Sequence, residues 1–317
     1  MKLIETARPV TLDDLAGLDT LVKDAKGWSE STYPQALLFY GPPGTGKTSA
    51  AYVIAREMLG DHYDAANFIE NNASDDRGID FIRNELKFAM RSKPIGASRK
   101  VILLDEADGL TPAAQDTMRQ LIEKYSKNAM LILTCNEMEK IRPAIRSRCS
   151  VYAFKPVSPE DGATRLWNIC EHLHLRPKGE WFGQETTLER LVELMNGDLR
   201  ACIMFLDSID LDELEERVDM LAAMTEDDSV ELALGGEWTQ LRQNLHGLLQ
   251  AGQSLPQVMN GFYRNIYSHF ESDEALDALW DIMAVYGDTM THKYTWPGDD
   301  YSYCDYMVAK MKQVVKQ

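Results

Sequence analysis

The feature that most constrains this chain is the glycine-rich segment GPPGTGKT at residues 41–48. It lies between the apolar run Ala36–Tyr40 and a helical pattern over Ser49–Leu59. A tight glycine turn between a strand and a helix directs backbone N–H groups and a helix N-terminus at one point, which favours a bound phosphate. The spacing fits GxxxxGK[ST], in which the lysine reaches the outer phosphates of a nucleotide and the hydroxyl contacts magnesium. The predicted nucleotide contacts are Gly41, Pro42, Pro43, Gly44, Thr45, Gly46, Lys47 and Thr48, with Thr48 also a predicted magnesium ligand.

Short apolar runs separated by helical patterns predict the fold class of the first half of the chain. Strands that alternate with helices form parallel βαβ units, in which helices cover both faces of the sheet. Ligands of such sheets bind beyond the carboxyl ends of the strands. We therefore expect an α/β domain with its site at that edge. The predicted strands are Ala36–Tyr40, Asn67–Glu70, Val101–Leu104, Met130–Thr134 and Val151–Phe154.

The pattern changes to helices only after Pro156. At 317 residues the chain is longer than the size at which one hydrophobic core stops growing, about 250 to 300 residues, so more than one domain is expected. An acidic stretch, 207–228, separates two groups of helical patterns. The predicted domains are an α/β nucleotide domain at 1–156, a small helical domain at 157–210 and a helical C-terminal domain at 211–317.

The net charge of −17 is confined to the second half of the chain. Residues 1–155 hold 21 basic and 21 acidic side chains, whereas 156–317 hold 12 and 29. The first half can therefore still present a basic surface, because nucleic-acid contact depends on local clusters of charge. No apolar run is long enough to span a membrane, and the charged first residues, Met1–Pro9, lack the apolar stretch of a secretory signal, so none is expected. Five cysteines without a CxxC pair predict reduced thiols and argue against a zinc site.

Two acidic residues end the apolar run in VILLDEAD, residues 101–108. A buried strand that delivers Asp105 to a magnesium ion and Glu106 to an attacking water has the arrangement needed to transfer a phosphoryl group to water. Acids also end strands as turn or capping groups, so the pairing with the glycine-rich loop carries this interpretation. The next apolar run, LILTCN at 131–136, ends in Asn136, which could orient water beside the last phosphate or could simply form a turn.

Three further segments are more specific than the phosphate loop. They are NASDDRGID at 72–80, DEADGLTPAAQDTMRQLIEKYS at 105–126 and RPAIRSRC at 142–149. Together they closely resemble the clamp-loader branch of the AAA+ ATPases, and best of all the replication factor C small subunits of archaea and eukaryotes. The resemblance covers residues 1 to about 210. It implies a P-loop AAA+ sheet domain, a small helical lid, an all-helical collar, and an ATPase that uses ATP and Mg²⁺.

The resemblance also implies roles for three arginines and a proline. In SRC at 147–149, Arg148 matches an arginine finger that reaches the ATP site of a neighbouring subunit. In GDLR at 197–200, Arg200 matches a second sensor directed at the last phosphate of its own ATP, although the segment could simply cap a helix. Arg8 and Pro9 match a pair that lies along the adenine and ribose. The usual aromatic residue before that pair is replaced here by Ala7, so contacts with the base are expected to differ.

The same resemblance implies contacts with DNA and with a sliding clamp. Arg77, Arg83 and Lys140 match positions that follow the DNA backbone without reading its sequence, while any one of them could also be a solvated surface residue. Clamp binding in relatives uses the segment that corresponds to FAMRSKPI at 88–95. Its apolar members, Phe88, Met90 and Ile95, could instead belong to the core.

The sequence therefore predicts an ATPase subunit of a sliding-clamp loader. The expected partners are other loader subunits in a ring, most simply a pentamer, together with the clamp and primer-template DNA. The expected location is the cytoplasm, or the nucleus or nucleoid where DNA is replicated, without a membrane. Two alternatives stay open: a loader subunit that supports its partners without hydrolysing ATP, and a related AAA+ protein that remodels branched DNA or protein. Residues 230–317 carry no motif that separates them.

Overall fold

The computed structural model of the chain divides into two compact units. The first contains residues 1, 5–165 and 197–200, and the second contains 2–4, 166–196 and 201–317. The domain boundaries expected from the sequence, 156 and 210, remain a prediction. The residues that the structure describes are 3–29, 32–73, 79–173, 175, 184–225, 228–250, 255, 258, 259, 262, 266, 276–292 and 298–315.

The first unit is built on a sheet of parallel strands. The strands are β1 (Ala36–Tyr40), β2 (Phe68–Asn72), β3 (Lys100–Asp105), β4 (Ala129–Cys135) and β5 (Ser150–Ala153). Their spatial order is β2-β3-β4-β1-β5, so the strand that precedes the phosphate loop has neighbours on both sides. All the predicted strands are present. The second extends two residues further than predicted, because Asn71 and Asn72 continue the backbone pairing opposite Leu104 and Asp105.

Alternating side chains on the central strands enter two different cores. Leu38 of β1 packs into one core with Ile102 of β3, and its chain neighbour Leu37 enters the opposite core with Val101. All four side chains are fully buried. This double burial explains why the central strands read as continuous apolar runs, and it confirms the predicted α/β class.

Helices cover both faces of the sheet. The face that contains Leu37 is covered by α2 (Asp19–Gly27) and α3 (Lys47–Leu59). A single helical turn, α1 (Leu3–Thr6), precedes α2 in the chain. The opposite face packs against α4 (Ile79–Phe81), a π-helical turn (Ile82–Leu86), α5 (Lys87–Arg91), α6 (Pro112–Tyr125) and α7 (Pro143–Arg146).

Helix α6 begins at a well-defined cap. The Thr111 side chain accepts a hydrogen bond from the backbone N–H of Ala114, and Pro112 occupies the first helical position, where its missing N–H costs nothing. At one edge of this helix the fully buried Gln115 donates to the carbonyl oxygens of Leu110 and Lys140. The helix after Asp105 is therefore fastened to the loop after β4.

The second unit is helical in the residues described. Its C-terminal helices are joined by polar contacts as well as by apolar packing. Arg242 donates two hydrogen bonds to the carboxylate of Asp305, at 2.6 and 2.8 Å, and His246 contacts the same carboxylate at 2.7 Å. The helices are α8 (Pro159–His172), which begins in the first unit, α9 (Gln184–Leu194), α10 (Leu199–Ser208), α11 (Leu214–Thr225), α12 (Asp228–Leu234), α13 (Trp238–Gln250), α14 (Leu276–His292) and α15 (Asp300–Val314).

The cysteines are free thiols, most of them buried. All five lie in described parts of the chain as free thiols, and only Cys149 is less than fully buried. Burial raises the pKa of the Cys149 thiol to about 12, so it is protonated at neutral pH. Among the helices that the structure describes, none combines the length and apolar character that crossing a membrane requires.

Candidate nucleotide site

Two glycines of the loop between β1 and α3 combine a positive φ with close neighbours. Gly41 has φ of 147°, and a Cβ atom there would lie 1.9 Å from the backbone oxygen of Phe154. Gly44 has φ of 78°, and a Cβ atom there would lie 2.0 Å from Oδ1 of Asp198. Gly46 also has a positive φ, 87°, and it is the residue before the first turn of α3. The glycine pattern of the motif therefore follows from backbone conformation and from close approach of neighbouring atoms.

Lys47 folds back over this loop. Its ammonium group donates to the carbonyl oxygens of Gly41 and Pro42, each at 2.7 Å, and to Oδ1 of Asn136 at 3.0 Å. The residue is only 9% exposed. Burial lowers the pKa of Lys47, opposed by nearby acidic groups that include Asp105 and helped by the charge of Arg200. The structure thus brings together the predicted lysine and the predicted amide at the end of β4.

Thr48 meets the end of β3. Its hydroxyl lies 3.1 Å from each carboxylate oxygen of Asp105. The carboxylate is fixed from the other side by Thr134 of β4, whose hydroxyl donates to Asp105 and accepts from the backbone N–H of Glu106 at 3.0 Å. A hydroxyl and a carboxylate side by side form the kind of oxygen-rich pair that magnesium prefers.

Glu106 stands at the turn that leaves β3. Its φ of 55° is in the left-handed region, which few residues other than glycine adopt. Such a conformation costs about 1–3 kcal/mol and persists where the surroundings impose it, as the hydrogen bond from its N–H to Thr134 does here. The side chain is exposed at the edge of the sheet. Glu106 is therefore displayed by a strained turn directly after Asp105.

The loop after β4 is held by Asp108. One carboxylate oxygen of Asp108 accepts hydrogen bonds from the backbone N–H groups of Asn136 and Glu137, at 3.1 and 3.2 Å. Asn136 is therefore fixed by its backbone to the segment after β3 and by its side chain to Lys47. A simple turn role does not require both contacts.

The segment GDLR lies beside the phosphate loop. Asn196 and Gly197 both have positive φ, 53° and 71°. The Gly197 carbonyl accepts from the N–H of Val157 at 3.1 Å. Asp198 then packs against Gly44, and Arg200 is exposed but near enough for its charge to lower the pKa of Lys47.

Arg148 contacts a different set of residues. Its Nε donates to Oε1 of Glu123 at 2.6 Å, its Nη2 pairs with the same oxygen, and its Nη1 donates to the carbonyl of Ala144 at 2.6 Å. The side chain is 29% exposed. These contacts lie on α6 and α7.

The Arg8–Pro9 pair lies along α3. The guanidinium of Arg8 stacks over the Tyr52 ring at 5.3 Å, and Arg56 donates to the Pro9 carbonyl at 3.4 Å. Ala7, which replaces the usual aromatic residue, is buried, and its carbonyl accepts from Arg165 at 3.1 Å. Side chains of α3 and Arg165 therefore anchor this segment.

The predicted DNA and clamp residues differ in what the structure describes. Arg83, in the π-helical turn, and Lys140 are both exposed, and Lys140 pairs with Glu137 at 2.6 Å. Arg77 lies outside the described residues. In the predicted clamp segment, Phe88 and Ile95 are 75% and 66% exposed, whereas Met90 is fully buried. Met90 is therefore a core residue, and the two others form the exposed apolar pair.

Three residues that fix the site were not singled out from the sequence. Thr134 lies inside the motif LILTCN, and Asp108 and Gln115 lie inside the segment 105–126. A threonine within an otherwise apolar buried strand is the signal that could have identified Thr134, since a buried hydroxyl requires partners.

Comparisons with known proteins agree with this geometry. The model of the family described as "ATPase family associated with various cellular activities (AAA)" matches residues 37–157, which contain the phosphate loop and both strand-end motifs. Among solved structures, a RuvB mutant of Thermotoga maritima superposes with a TM-score of 0.55 over 70% of this chain and 74% of that chain. Its sequence identity is 16%, so this likeness concerns the fold alone.

Curated relatives match most of the chain. The replication factor C small subunit of Archaeoglobus fulgidus is 38% identical over 274 residues, which cover 84% of each chain. That of Methanococcus maripaludis is 38% identical over 256 residues, 78% of each chain. Replication factor C subunit 3 of Saccharomyces cerevisiae is 39% identical over 225 residues, 68% of this chain and 64% of the relative. With the AAA match and the nucleotide-site geometry, these similarities confirm the resemblance drawn from the motifs: the chain belongs to the replication factor C small-subunit family of AAA+ ATPases.

Proposed function

We propose that this chain binds ATP with magnesium between the 41–48 loop and the ends of β3 and β4, and hydrolyses it as one subunit of a ring that loads a sliding clamp onto primer-template DNA. The observation that carries this proposal is that adjacent loop residues reach two strand ends. Lys47 contacts Asn136, and Thr48 contacts Asp105. A glycine turn with only a structural role would not need either contact.

The residues present fit a magnesium ion. Thr48 and Asp105 offer a hydroxyl and a carboxylate 3.1 Å apart, beside the loop whose N–H groups suit phosphates. When bound, magnesium would neutralise charge on the phosphates and stabilise the charge that develops during transfer. The hydrogen bond from Thr134 holds the Asp105 carboxylate in place for that purpose.

The side chains around the loop then divide the work of hydrolysis. Lys47 places a positive charge at the outer phosphates, where its ammonium exchanges the carbonyl oxygens of Gly41 and Pro42 for phosphate oxygens. Glu106 orients and deprotonates the attacking water. Asn136 holds that water or the last phosphate, because its amide is fixed beside Lys47. Arg200 reads the last phosphate from the GDLR segment, and Arg8 and Pro9 contact the base and ribose.

A neighbouring subunit completes the site in this proposal. Arg148 acts on the nucleotide bound by the next copy or partner, which requires a head-to-tail interface. Such a finger is worth about 10³ to 10⁵ in rate, so hydrolysis depends on assembly of the ring. Arg77, Arg83 and Lys140 contact the DNA backbone inside the ring, and Phe88 with Ile95 contacts the clamp. The proposed domains are 1–156, 157–210 and 211–317, the last serving assembly.

ATP acts in this scheme through its preference for one arrangement of the ring. If ATP binds the clamp-opening arrangement more tightly, its binding supplies the work, and hydrolysis after DNA contact releases the clamp. The proposed site of action is therefore wherever DNA is replicated, in the cytoplasm, nucleus or nucleoid.

The test is capture of a labelled sliding clamp by the loader assembled with its partner subunits. We expect capture with ATP and none with ADP, and loss of capture when Lys47→Ala is introduced. Clamp capture that is absent in every nucleotide state would contradict the clamp-loader proposal and favour an AAA+ remodeller of DNA or protein.

A loader subunit that does not hydrolyse ATP is the second candidate. Its prediction differs at one point: Glu106→Gln in the assembled ring would leave ATP turnover unchanged, because this chain's own site would hydrolyse nothing. Our proposal predicts that turnover at this chain's site falls about 10²-fold or more.

A further inference from the structure

Two acidic residues of α6 hold two arginines of the segment 142–148. Asp116 and Glu123 lie about two turns apart and therefore on one face of the helix. Asp116 contacts Nε of Arg142 at 3.1 Å, and Glu123 contacts Nε of Arg148 at 2.6 Å. The loop that carries Arg148 is thereby fastened to a rigid helix at both ends. That helix begins six residues after Glu106 in the chain.

The contacts of Arg148 fix the plane of its guanidinium group. A guanidinium has five N–H donors in one plane. Glu123 receives one from Nε and one from Nη2, while the two on Nη1 go to the Ala144 carbonyl at 2.6 Å and the Ser147 hydroxyl at 3.2 Å. Among the residues that the structure describes, this leaves the second N–H of Nη2 for a further acceptor. The carboxylate of Glu123 is also 3.5 Å from Arg119, one turn earlier.

We propose that Glu123 is a positioning residue for Arg148. It holds the guanidinium in one plane, so that Arg148 meets the neighbouring subunit's nucleotide in a single orientation. This inference rests on the proposed function, in which Arg148 acts across the subunit boundary. Glu123 itself does not touch the nucleotide. Its effect reaches the reaction through the arginine that it holds.

Because Arg148 and Glu123 are partly exposed, their ion pair is expected to affect catalysis more than folding stability. The two side chains are 29% and 44% exposed. Ion pairs at that exposure add little to folding stability, because water and salt screen them. Loss of Glu123 should therefore leave the melting temperature almost unchanged and reduce turnover. A misplaced catalytic group loses rate steeply, about 10²-fold for a displacement near 1 Å.

The experiment measures ATP turnover by the assembled loader carrying Glu123→Gln, Arg148→Ala, or both. We expect Glu123→Gln to lower kcat about 10- to 100-fold, with KM for ATP and the melting temperature unchanged. The double variant should match Arg148→Ala alone, because Glu123 acts only through that arginine. Asp13→Asn is the control: it removes one carboxylate charge from an exposed surface ion pair, with Lys26, that has no contact with Arg148, and its turnover should stay near that of the wild type.

Several results would overturn the inference. Wild-type turnover for Glu123→Gln would remove the role. Faster turnover would mean that Glu123 restrains Arg148. A double variant slower than Arg148→Ala would show an effect that bypasses the arginine. If Arg148→Ala itself leaves turnover unchanged, the shared site of the proposed function fails too, whereas a slow Arg148→Ala with a normal Glu123→Gln overturns this inference alone.

Discussion

The hydroxyl of Thr134 donates a hydrogen bond to Oδ1 of Asp105, which joins the ends of two neighbouring strands. The same hydroxyl accepts from the backbone N–H of Glu106, so one buried side chain fixes both candidate acidic residues. Parallel pairing of β3 with β4 makes this possible, because it places the carboxyl ends of both strands at one edge. The candidate site is therefore set by sheet register as much as by its motifs.

Replacing Thr134 by valine tests that bridge. Valine keeps the shape of the side chain but removes the hydroxyl that accepts from the Glu106 N–H and donates to the Asp105 carboxylate, which is left with the Thr48 hydroxyl. We expect unfolding to become easier by about 1–3 kcal/mol and ATP turnover to fall. Urea unfolding and a steady-state ATPase assay measure the two effects. Thr134→Ser, which retains the hydroxyl, should restore turnover, and a valine variant equal to the wild type in both assays would contradict the bridge.

A second prediction concerns the glycines of the phosphate loop, with the Gly46→Ala variant as the control for Gly41→Ala. Alanine at Gly46 meets only the cost of a positive φ, about 1–2 kcal/mol, since no atom lies within 4 Å of its Cβ position. Alanine at Gly41 must in addition displace the backbone oxygen of Phe154, which would lie 1.9 Å away. The melting temperature of Gly41→Ala should therefore fall well below that of Gly46→Ala. Equal melting temperatures would show that the backbone at Phe154, directly after β5, can move aside without loss of stability.

The contacts of Asp14 let us predict how the folding stability of the first unit changes at low pH. Burial alone would raise its pKa, but hydrogen bonds from Thr11 and Val10, together with the charge of Arg165, bring the pKa below its ordinary value of 3.8. A lowered carboxyl pKa stabilises the fold above the unfolded value, and this contribution is lost as pH falls through the folded value. Asp14→Asn should therefore lower stability at neutral pH and flatten its dependence on pH in the acid range.

Melting curves at a series of pH values measure this effect. Asp13→Asn is the matched control, because Asp13 is 79% exposed and pairs only at the surface with Lys26. Removal of the charge at Asp13 should leave the acid response as it is in the wild type. The same flattening in both variants would mean that net charge, and not the contacts of Asp14, controls the acid response.

The segment 88–95 contains both exposed and buried apolar side chains, and we expect different effects when each kind is replaced. Phe88 and Ile95 are exposed, so Phe88→Ala with Ile95→Ala should change stability by no more than about 0.5 kcal/mol each and should abolish clamp capture. Met90 is fully buried, and Met90→Ala should cost about 2–5 kcal/mol. Unfolding curves and the clamp-capture assay measure both. Normal capture by the Phe88 and Ile95 variants would remove this surface from the proposal.

Much of the fold follows from local pattern. Apolar runs of strand length between helical patterns were enough to predict the parallel sheet, because burial on both faces leaves no polar alternation. The phosphate loop followed from its glycines and Lys47. The contacts of Thr134, Asp108 and Gln115 could not be predicted, since they depend on which strands are neighbours and in what register. The pairing of Arg148 with Glu123 is similar, because 25 residues of chain separate the two.

Local pattern also misjudged details. The strand β2 continues through two asparagines because its partner strand offers backbone groups, which side-chain polarity does not reveal. The π-helical turn at Ile82–Leu86 was not predicted either. Ile82 and Leu86 of this turn and Met90 of α5 all lie in the core, at the four-residue spacing that one face of a helix presents.

The central claim is that ATP is hydrolysed where Lys47, Asp105 and Glu106 meet, and the Glu106→Gln variant tests it most directly. ATP affinity and ATP turnover are measured on the same assembled loader, with wild type beside the variant. We predict that affinity stays within about twofold while turnover falls about 10²-fold or more, since glutamine fits the strained turn but cannot accept a proton. Turnover at the wild-type rate would contradict the claim.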